Sequence, residues 1–221
     1  MSEFKCGLIA IVGRPNVGKS TLLNRIVGQK VSITSRKAQT TRHRVMGIHT
    51  TDEAQFVFVD TPGFQTRYTG TMNRAMNKRV RETLSDTDVV MMLVEAGRLK
   101  NEDRQVMELL PKDRPLILVV NKIDQVKDRA ELMAYLQEVT AAHAFTEIVP
   151  VSAKQGNNLE ELLKTLQTHL PENAPLFDAD DVTATAAVQR TADAIEVRGD
   201  AIAAELEVAG AKEMRRDRRE R

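Results

Sequence analysis

Short apolar runs alternate with amphipathic stretches along most of the chain. The run Gly7-Leu8-Ile9-Ala10-Ile11-Val12 is apolar throughout and stops at Gly13, the pattern of a strand covered on both faces. Over residues 19–27, Leu22, Leu23 and Ile26 fall on one side, which predicts a helix ended by Gly28. Residues 29–44 are polar, with many hydroxyl and basic side chains, and read as a loop that orders on demand. Strands are expected at 45–50 and 55–60, turned by Thr51-Asp52-Glu53-Ala54. After Pro62-Gly63 the polar stretch to Gly70 is loop, and 72–84 is helical. The alternation continues with a strand at 89–94, a helix at 102–110 and a strand at 116–120. A helix at 130–142, a strand at 148–151 and a helix at 159–170, closed by Pro171, complete it. Buried strands alternating with helices imply an α/β fold, a mostly parallel sheet with helices on both faces.

Beyond Pro171 the pattern changes. Pro175, Asp178, Asp180 and Asp181 form an acidic linker, and residues 182–221 are Ala-rich and charged, without an aromatic residue. Val188, Ala192, Ile195, Ile202, Leu206 and Ala209 recur at helical spacings, so one amphipathic helix is expected there. Gly199 near its middle weakens it by about 1 kcal/mol. The end, from Lys212 to Arg221, is a charge run of the solvated-tail type.

Composition narrows the function classes. Lys plus Arg (32) nearly cancels Asp plus Glu (31), so the whole-chain basic field of a nucleic-acid binder is missing. Aromatic content is 4% with no Trp, which leaves the packing to aliphatic side chains. One cysteine, Cys6, excludes an internal disulfide and reads as a small buried residue leading into the first strand; a reactive thiol is the minor alternative. No signal peptide and no run of roughly 18 apolar residues is visible, and the chain reads as cytosolic.

Gly13-Arg14-Pro15-Asn16-Val17-Gly18-Lys19-Ser20 matches the P-loop pattern after a strand and before a helix. Phosphate oxygens need several backbone N–H groups in one concavity, which glycines permit and a helix N-terminus favours electrostatically. Lys19 would reach the β- and γ-phosphates, and the Ser20 hydroxyl would hold Mg²⁺. Asn121-Lys122-Ile123-Asp124 follows a buried strand. The Asp124 carboxylate suits guanine, whose N1–H and amino group both donate; adenine would leave it desolvated and unpaired. Asn121 would tie the base side to the P-loop, and the Lys122 stem would lie over the ring. Asp124 as an ordinary helix cap is the competing reading. Val151-Ser152-Ala153-Lys154 follows the next strand and can present the Ala153 N–H to guanine O6. Asp60-Thr61-Pro62-Gly63 ends a strand; Asp60 would hold the metal through water, and the Gly63 N–H would touch the γ-phosphate. A hydroxyl of Thr40 or Thr41 would complete the Mg²⁺ shell, Thr41 being preferred. Lys19, Thr41 and Gly63 are the residues expected to act on the reacting phosphate.

Together these segments resemble the translation-factor-related GTPases and, more closely, the Era family. The loop Ser32-Ile33-Thr34-Ser35-Arg36-Lys37-Ala38-Gln39-Thr40-Thr41-Arg42-His43-Arg44, followed by Gly47-Ile48, discriminates most, because related GTPases differ there. The resemblance covers about residues 5–171 and divides the chain into a P-loop NTPase G-domain, 1–171, and a short C-terminal extension, 172–221. It implies GTP hydrolysis to GDP, a role in small ribosomal subunit (30S) assembly through the 16S rRNA, and a cytoplasmic place with peripheral membrane contact. A monomer is expected. Phe64 follows Gly63, so a water-orienting glutamine is missing at that place, as in Era-like proteins, and slow intrinsic turnover follows. Asn16 resembles the P-loop asparagine that helps to bind K⁺ in related GTPases; a turn-former bonding its own loop is the other reading. Era proteins join a KH domain to the G-domain, and KH domains clamp RNA with a GXXG loop. Here no Gly-x-x-Gly follows Pro171, since Gly199 and Gly210 stand alone. Truncation, a shifted reading frame and a divergent extension are the alternatives, and RNA binding by this chain is correspondingly in question. A switch module that reads GTP against GDP for a protein partner, and an ATP-using P-loop kinase, are the competing functional classes. Asp124 and the ordered switch motifs argue against the kinase.

Overall fold

The computed structural model describes residues 3–28, 45–60 and 71–178, with the backbone only for Asp60, residues 71–76 and Arg79. In chain order the elements are β1 (Lys5–Val12), α1 (Lys19–Val27), β2 (Val45–Thr50), β3 (Ala54–Asp60), α2 (Thr71–Ser85), β4 (Val89–Glu95) and α3 (Asn101–Met107). They continue with β5 (Leu116–Asn121), a 3₁₀ turn at Ile123–Gln125, α4 (Arg129–Ala142), β6 (Glu147–Pro150) and α5 (Leu159–His169). One six-stranded sheet runs in the order β2-β3-β1-β4-β5-β6. β2 is antiparallel to β3 and every other pair is parallel. The short turn between β2 and β3 can only join antiparallel neighbours, whereas the later strands are joined through helices.

Side chains alternate across the sheet and sort into two cores. Ile9 and Ile11 of β1, with Val89, Met91 and Leu93 of β4, pack under α1 and α5 through Leu22, Leu23, Ile26, Leu162 and Leu166. Ala10, Val12, Val90, Met92 and Val94 face the other way, against Val80 and Leu84 of α2, Val106 and Met107 of α3, and Tyr135 and Val139 of α4. Each fully buried aliphatic side chain of this kind stabilises the fold by roughly 1.5–3 kcal/mol. Central strands that are apolar at every position are the direct cause of the two-faced cover.

Differences from the expected elements have local reasons. The third helix ends at Met107 rather than at 110, because Pro111 disfavours helical backbone in the residue before it. Leu109 and Leu110 stay buried there through bonds to the carbonyls of Val106 and Met107. β4 and β5 each run one residue further than the apolar pattern, to Glu95 and Asn121. Beyond Pro171, residues 172–178 lie against the sheet. The Cys6 N–H donates to the Pro171 carbonyl, the Asn173 N–H to Phe4, and Phe177 is buried in the core. Gln55, itself buried on β3, holds this segment: its Oε1 accepts the Leu176 and Phe177 N–H groups at 2.9 and 3.0 Å, and its Nε2 donates to the Phe177 carbonyl at 2.8 Å. The amphipathic stretch expected after residue 182, and Asp180 and Asp181 of the linker, lie outside the described residues. Cys6 is buried in β1, where its Sγ donates to Gln55 and desolvation pushes the thiol pKa up.

Candidate nucleotide site

The parallel strands all point their carboxyl ends one way, and the loops leaving β1, β3, β4, β5 and β6 therefore collect on one edge of the sheet. β1 and β4 are neighbours, as are β4 and β5, and β5 and β6. Sequence segments more than a hundred residues apart meet there for that reason alone.

Residues 13–18 wrap from β1 into α1. Gly13 has φ 147° and Gly18 φ 103°. A Cβ at Gly13 would stand 2.4 Å from the Leu93 carbonyl oxygen, and one at Gly18 would stand 2.3 Å from Asn121 Nδ2. Only glycine meets both demands. Asn16, at φ 66°, is exposed beside Pro15 at the outer bend of the loop, and Val17 is fully buried beneath it. The Lys19 ammonium lies across the loop, donating to the Gly13 and Arg14 carbonyls at 2.7 and 2.9 Å. Ser20 is exposed in the first turn of α1.

Asn121 is the joint of the site. Its Nδ2 donates to the Val17 carbonyl at 2.8 Å, and its Oδ1 accepts the Ala153 N–H at 2.9 Å. One buried amide thus fastens the first loop to the last two. A buried amide with both ends satisfied contributes to stability, whereas an orphaned one costs about 1–3 kcal/mol. Lys122 takes the left-handed conformation, φ 65°, and starts the 3₁₀ turn that carries Ile123 and Asp124. The Ile123 N–H bonds the Val151 carbonyl at 3.3 Å. Asp124 is exposed and accepts from the Ser152 hydroxyl at 2.6 Å, while Ser152 itself is fully buried. The Ser152 oxygen also receives the Gln155 N–H at 3.2 Å, which fixes the hydroxyl proton towards Asp124.

Two residues that the motifs do not contain complete the arrangement. Glu95, the last residue of β4, accepts Arg14 Nη2 at 2.5 Å and Lys122 Nζ at 3.0 Å. Asp103, fully buried in α3, accepts Arg14 Nε at 3.2 Å and the Lys100 N–H at 3.0 Å. Burial opposes ionisation of Glu95, yet the hydrogen bonds from Arg14 and then Lys122 outweigh it and hold the carboxyl below its ordinary pKa. For Asp103 the balance is reversed: burial pushes its pKa up against the pull of the Lys100 N–H and Arg14. Asp103 Oδ1 and the Tyr135 hydroxyl have no hydrogen-bond partner among the described residues. The one sequence signal for Glu95 was a charge closing the otherwise apolar run Val89-Val90-Met91-Met92-Leu93-Val94.

Asp60 closes β3 opposite Ile11 of β1, two residues before Gly13. Ser20, with an exposed hydroxyl, and Asp60, by residue type, offer oxygen donors of the kind Mg²⁺ takes together with phosphate and water. Thr40, Thr41, Thr61, Pro62, Gly63 and Phe64 lie outside the described residues. No helix among the described residues is long and apolar enough to cross a membrane.

Comparison with known proteins agrees with this geometry. Residues 8–122 match the family model described as 50S ribosome-binding GTPase. GTPase Era of Chromobacterium violaceum is 58% identical over 182 residues, covering 82% of this chain and 62% of that protein. GTPase Era of Bordetella pertussis is 53% identical over 181 residues, covering 82% of this chain and 61% of that one. Aquifex aeolicus Era, solved with GDP and tetrafluoroaluminate, superposes with a TM-score of 0.67 at 41% identity, covering 81% of this chain and 62% of that chain. An Era solved with MgGDPNP and nucleotides 1506–1542 of 16S ribosomal RNA gives 0.65 at 40% identity, covering 80% and 61%. The chain spans 62% of the length of the first of these relatives. With the loop order, the asparagine joint and the family match on one sheet edge, the chain belongs to the family of GTPases that this model describes, and within that family it resembles Era.

Proposed function

We propose that the chain binds GTP, hydrolyses it to GDP, and acts as an Era-type switch in small ribosomal subunit assembly through the 16S rRNA. The Asn121 side chain carries this reading, because it locks the phosphate loop and the base loops at one separation. Asp124, oriented by Ser152, selects guanine by accepting its N1–H and amino group. The loop at Ala153 would lie against O6, although its own N–H is bonded to Asn121 Oδ1 in this structure, and the stem of Lys122 would cover the ring. The amides of residues 13–18 and the α1 N-terminus hold the phosphates, and Lys19 turns from the loop carbonyls to the β- and γ-oxygens. Ser20, Thr41 and Asp60 would hold Mg²⁺, whose charge offsets that developing on the phosphates. Gly63 and the switch threonine would report the γ-phosphate, and Phe64 supplies no proton acceptor, so intrinsic turnover is slow. Support for the RNA partner is the 40% identity to the Era solved with a 16S rRNA fragment.

Single-turnover hydrolysis of GTP by the chain, with and without 30S subunits, tests the reading. Stimulation by 30S is expected, and a chain that holds neither GDP nor GTP sinks it. Binding of the nucleotide-loaded chain to the 3′ end of 16S rRNA tests the RNA half by itself. Turnover in KCl against NaCl separates the two readings of Asn16: equal rates leave it a turn residue, and faster turnover in KCl makes it a K⁺ ligand.

A further inference from the structure

We propose that Glu95 is a positioning residue that couples the guanine loop to the phosphate loop, by holding Lys122 and Arg14 on one carboxylate. This rests on the GTP-binding reading above and adds to it a residue outside the recognised motifs. Glu95 bonds the Lys122 ammonium with one oxygen and the Arg14 guanidinium with the other. The topology places it there, since β4 lies between β1, which leads into the phosphate loop, and β5, which leads into the guanine loop. Glu95 sits opposite Asn121 in the β4–β5 register.

Both tethered residues need a hold. Lys122 sits in left-handed backbone that a side chain with a Cβ disfavours by roughly 1–2 kcal/mol. Its long stem has the rotamer freedom to leave the base position unless its end is fixed. Arg14 is buried, and its carbonyl is one of the two that receive Lys19. Fixing the guanidinium therefore fixes the loop carbonyl that parks the phosphate-binding ammonium. Asp103 holds the same guanidinium from α3 but does not touch Lys122, so the two carboxylates do different jobs. Glu95 and Lys122 are each about a quarter exposed, at 27% and 26%. Their bond is neither a loose surface pair nor a fully buried one. Among the described residues, Glu95 is the carboxylate that bonds a side chain of the phosphate loop and one of the guanine loop together.

The test is the dissociation rate of a fluorescent GDP analogue from the full chain, read with the thermal midpoint of each variant. Glu95→Gln keeps the shape and removes the charge; it is expected to speed release about tenfold, as loss of charge-assisted hydrogen bonds implies. Lys122→Ala is expected to speed release as well, and the Glu95→Gln/Lys122→Ala double variant to exceed Lys122→Ala by less than the full Glu95→Gln factor, because only the Arg14 arm is left to lose. Such non-additivity is the signature of a shared interaction, which a merely structural glutamate would not produce. Glu95→Asp, too short to span both cations, is expected to fall between wild type and Glu95→Gln, and it serves as the probe if the glutamine variant does not fold. Release from Glu95→Gln or Glu95→Asp at the wild-type rate, or effects that multiply fully in the double variant, overturns the coupling. A wild-type chain that binds no GDP overturns the nucleotide reading instead, so the two failures are distinct.

Discussion

Single side chains in this site are tuned by the atoms beside them. Asp124 is exposed, and its direction is set by a 2.6 Å bond from a buried serine hydroxyl. Asp124→Asn places an amide where guanine needs two acceptors, so competition between GDP and xanthosine diphosphate is expected to shift towards xanthosine. An unchanged preference for guanine would remove Asp124 from base selection. A different residue makes the fold sensitive to acid. His49 on β2, with its ring 5.8 Å from that of Phe56, has a pKa lowered from 6.5 by burial. The folded chain holds the imidazole neutral while the unfolded chain takes up its proton first. Stability is thus complete above 6.5 and lost as pH falls from there towards the depressed folded value. Urea midpoints measured through that interval should drop for the wild type and drop less for His49→Gln. The sequence already singled out Asp124 as a candidate, because a four-residue motif after a buried strand is enough to mark it. It was silent about His49 and Asp103, whose behaviour comes from neighbours that only folding supplies.

At the scale of elements, alternation and turn chemistry made nearly the whole order of strands and helices legible. Buried strands are apolar at every position, and glycines or prolines close the ends. The misplacements were at edges: α3 stops early before Pro111, and two strands carry one polar residue more, Glu95 and Asn121. Those two polar residues are the ones that join loops. The apolar rule cannot include them, because they are kept for partners contributed by other strands. How tightly the loops are joined is measured by Gly18. In Gly18→Ala the new Cβ would meet Asn121 Nδ2 at 2.3 Å in a backbone with φ 103°. The Asn121 amide must then turn away and release both Val17 and Ala153, or the loop must open. Two hydrogen bonds at about 1 kcal/mol each plus the backbone strain come to about 3 kcal/mol, hence roughly a hundredfold weaker GDP binding. Titration with a fluorescent GDP analogue checks this; wild-type affinity would mean that the asparagine joint is dispensable.

Across the whole molecule, the ends of the sheet do separate work. Loops at the carboxyl edge collect the candidate nucleotide residues, while the opposite edge receives residues 172–178, fastened by Gln55. Nothing in the sequence marked Gln55, since one glutamine at the start of a strand resembles any polar edge residue. Its role appears only when Leu176 and Phe177 return across more than a hundred positions to meet it. Gln55→Leu would keep the volume and leave two N–H groups and one carbonyl without their side-chain partner. Orphaned buried groups cost about 1–3 kcal/mol each, so detaching the segment is less costly than keeping it docked. Amide exchange at Leu176 and Phe177 should therefore quicken, while the amide of Asp88, bonded to the Leu8 carbonyl, stays protected. Gln55 lies five residues before Asp60 on β3, about 17 Å away at strand spacing. That distance and the rigidity of a strand paired on both sides predict that GDP affinity changes less than about twofold, well under the tenfold that 1.4 kcal/mol would give. Loss of affinity comparable to that of Gly18→Ala would show instead that the docked segment and the nucleotide edge move together, with β3 as the lever between them.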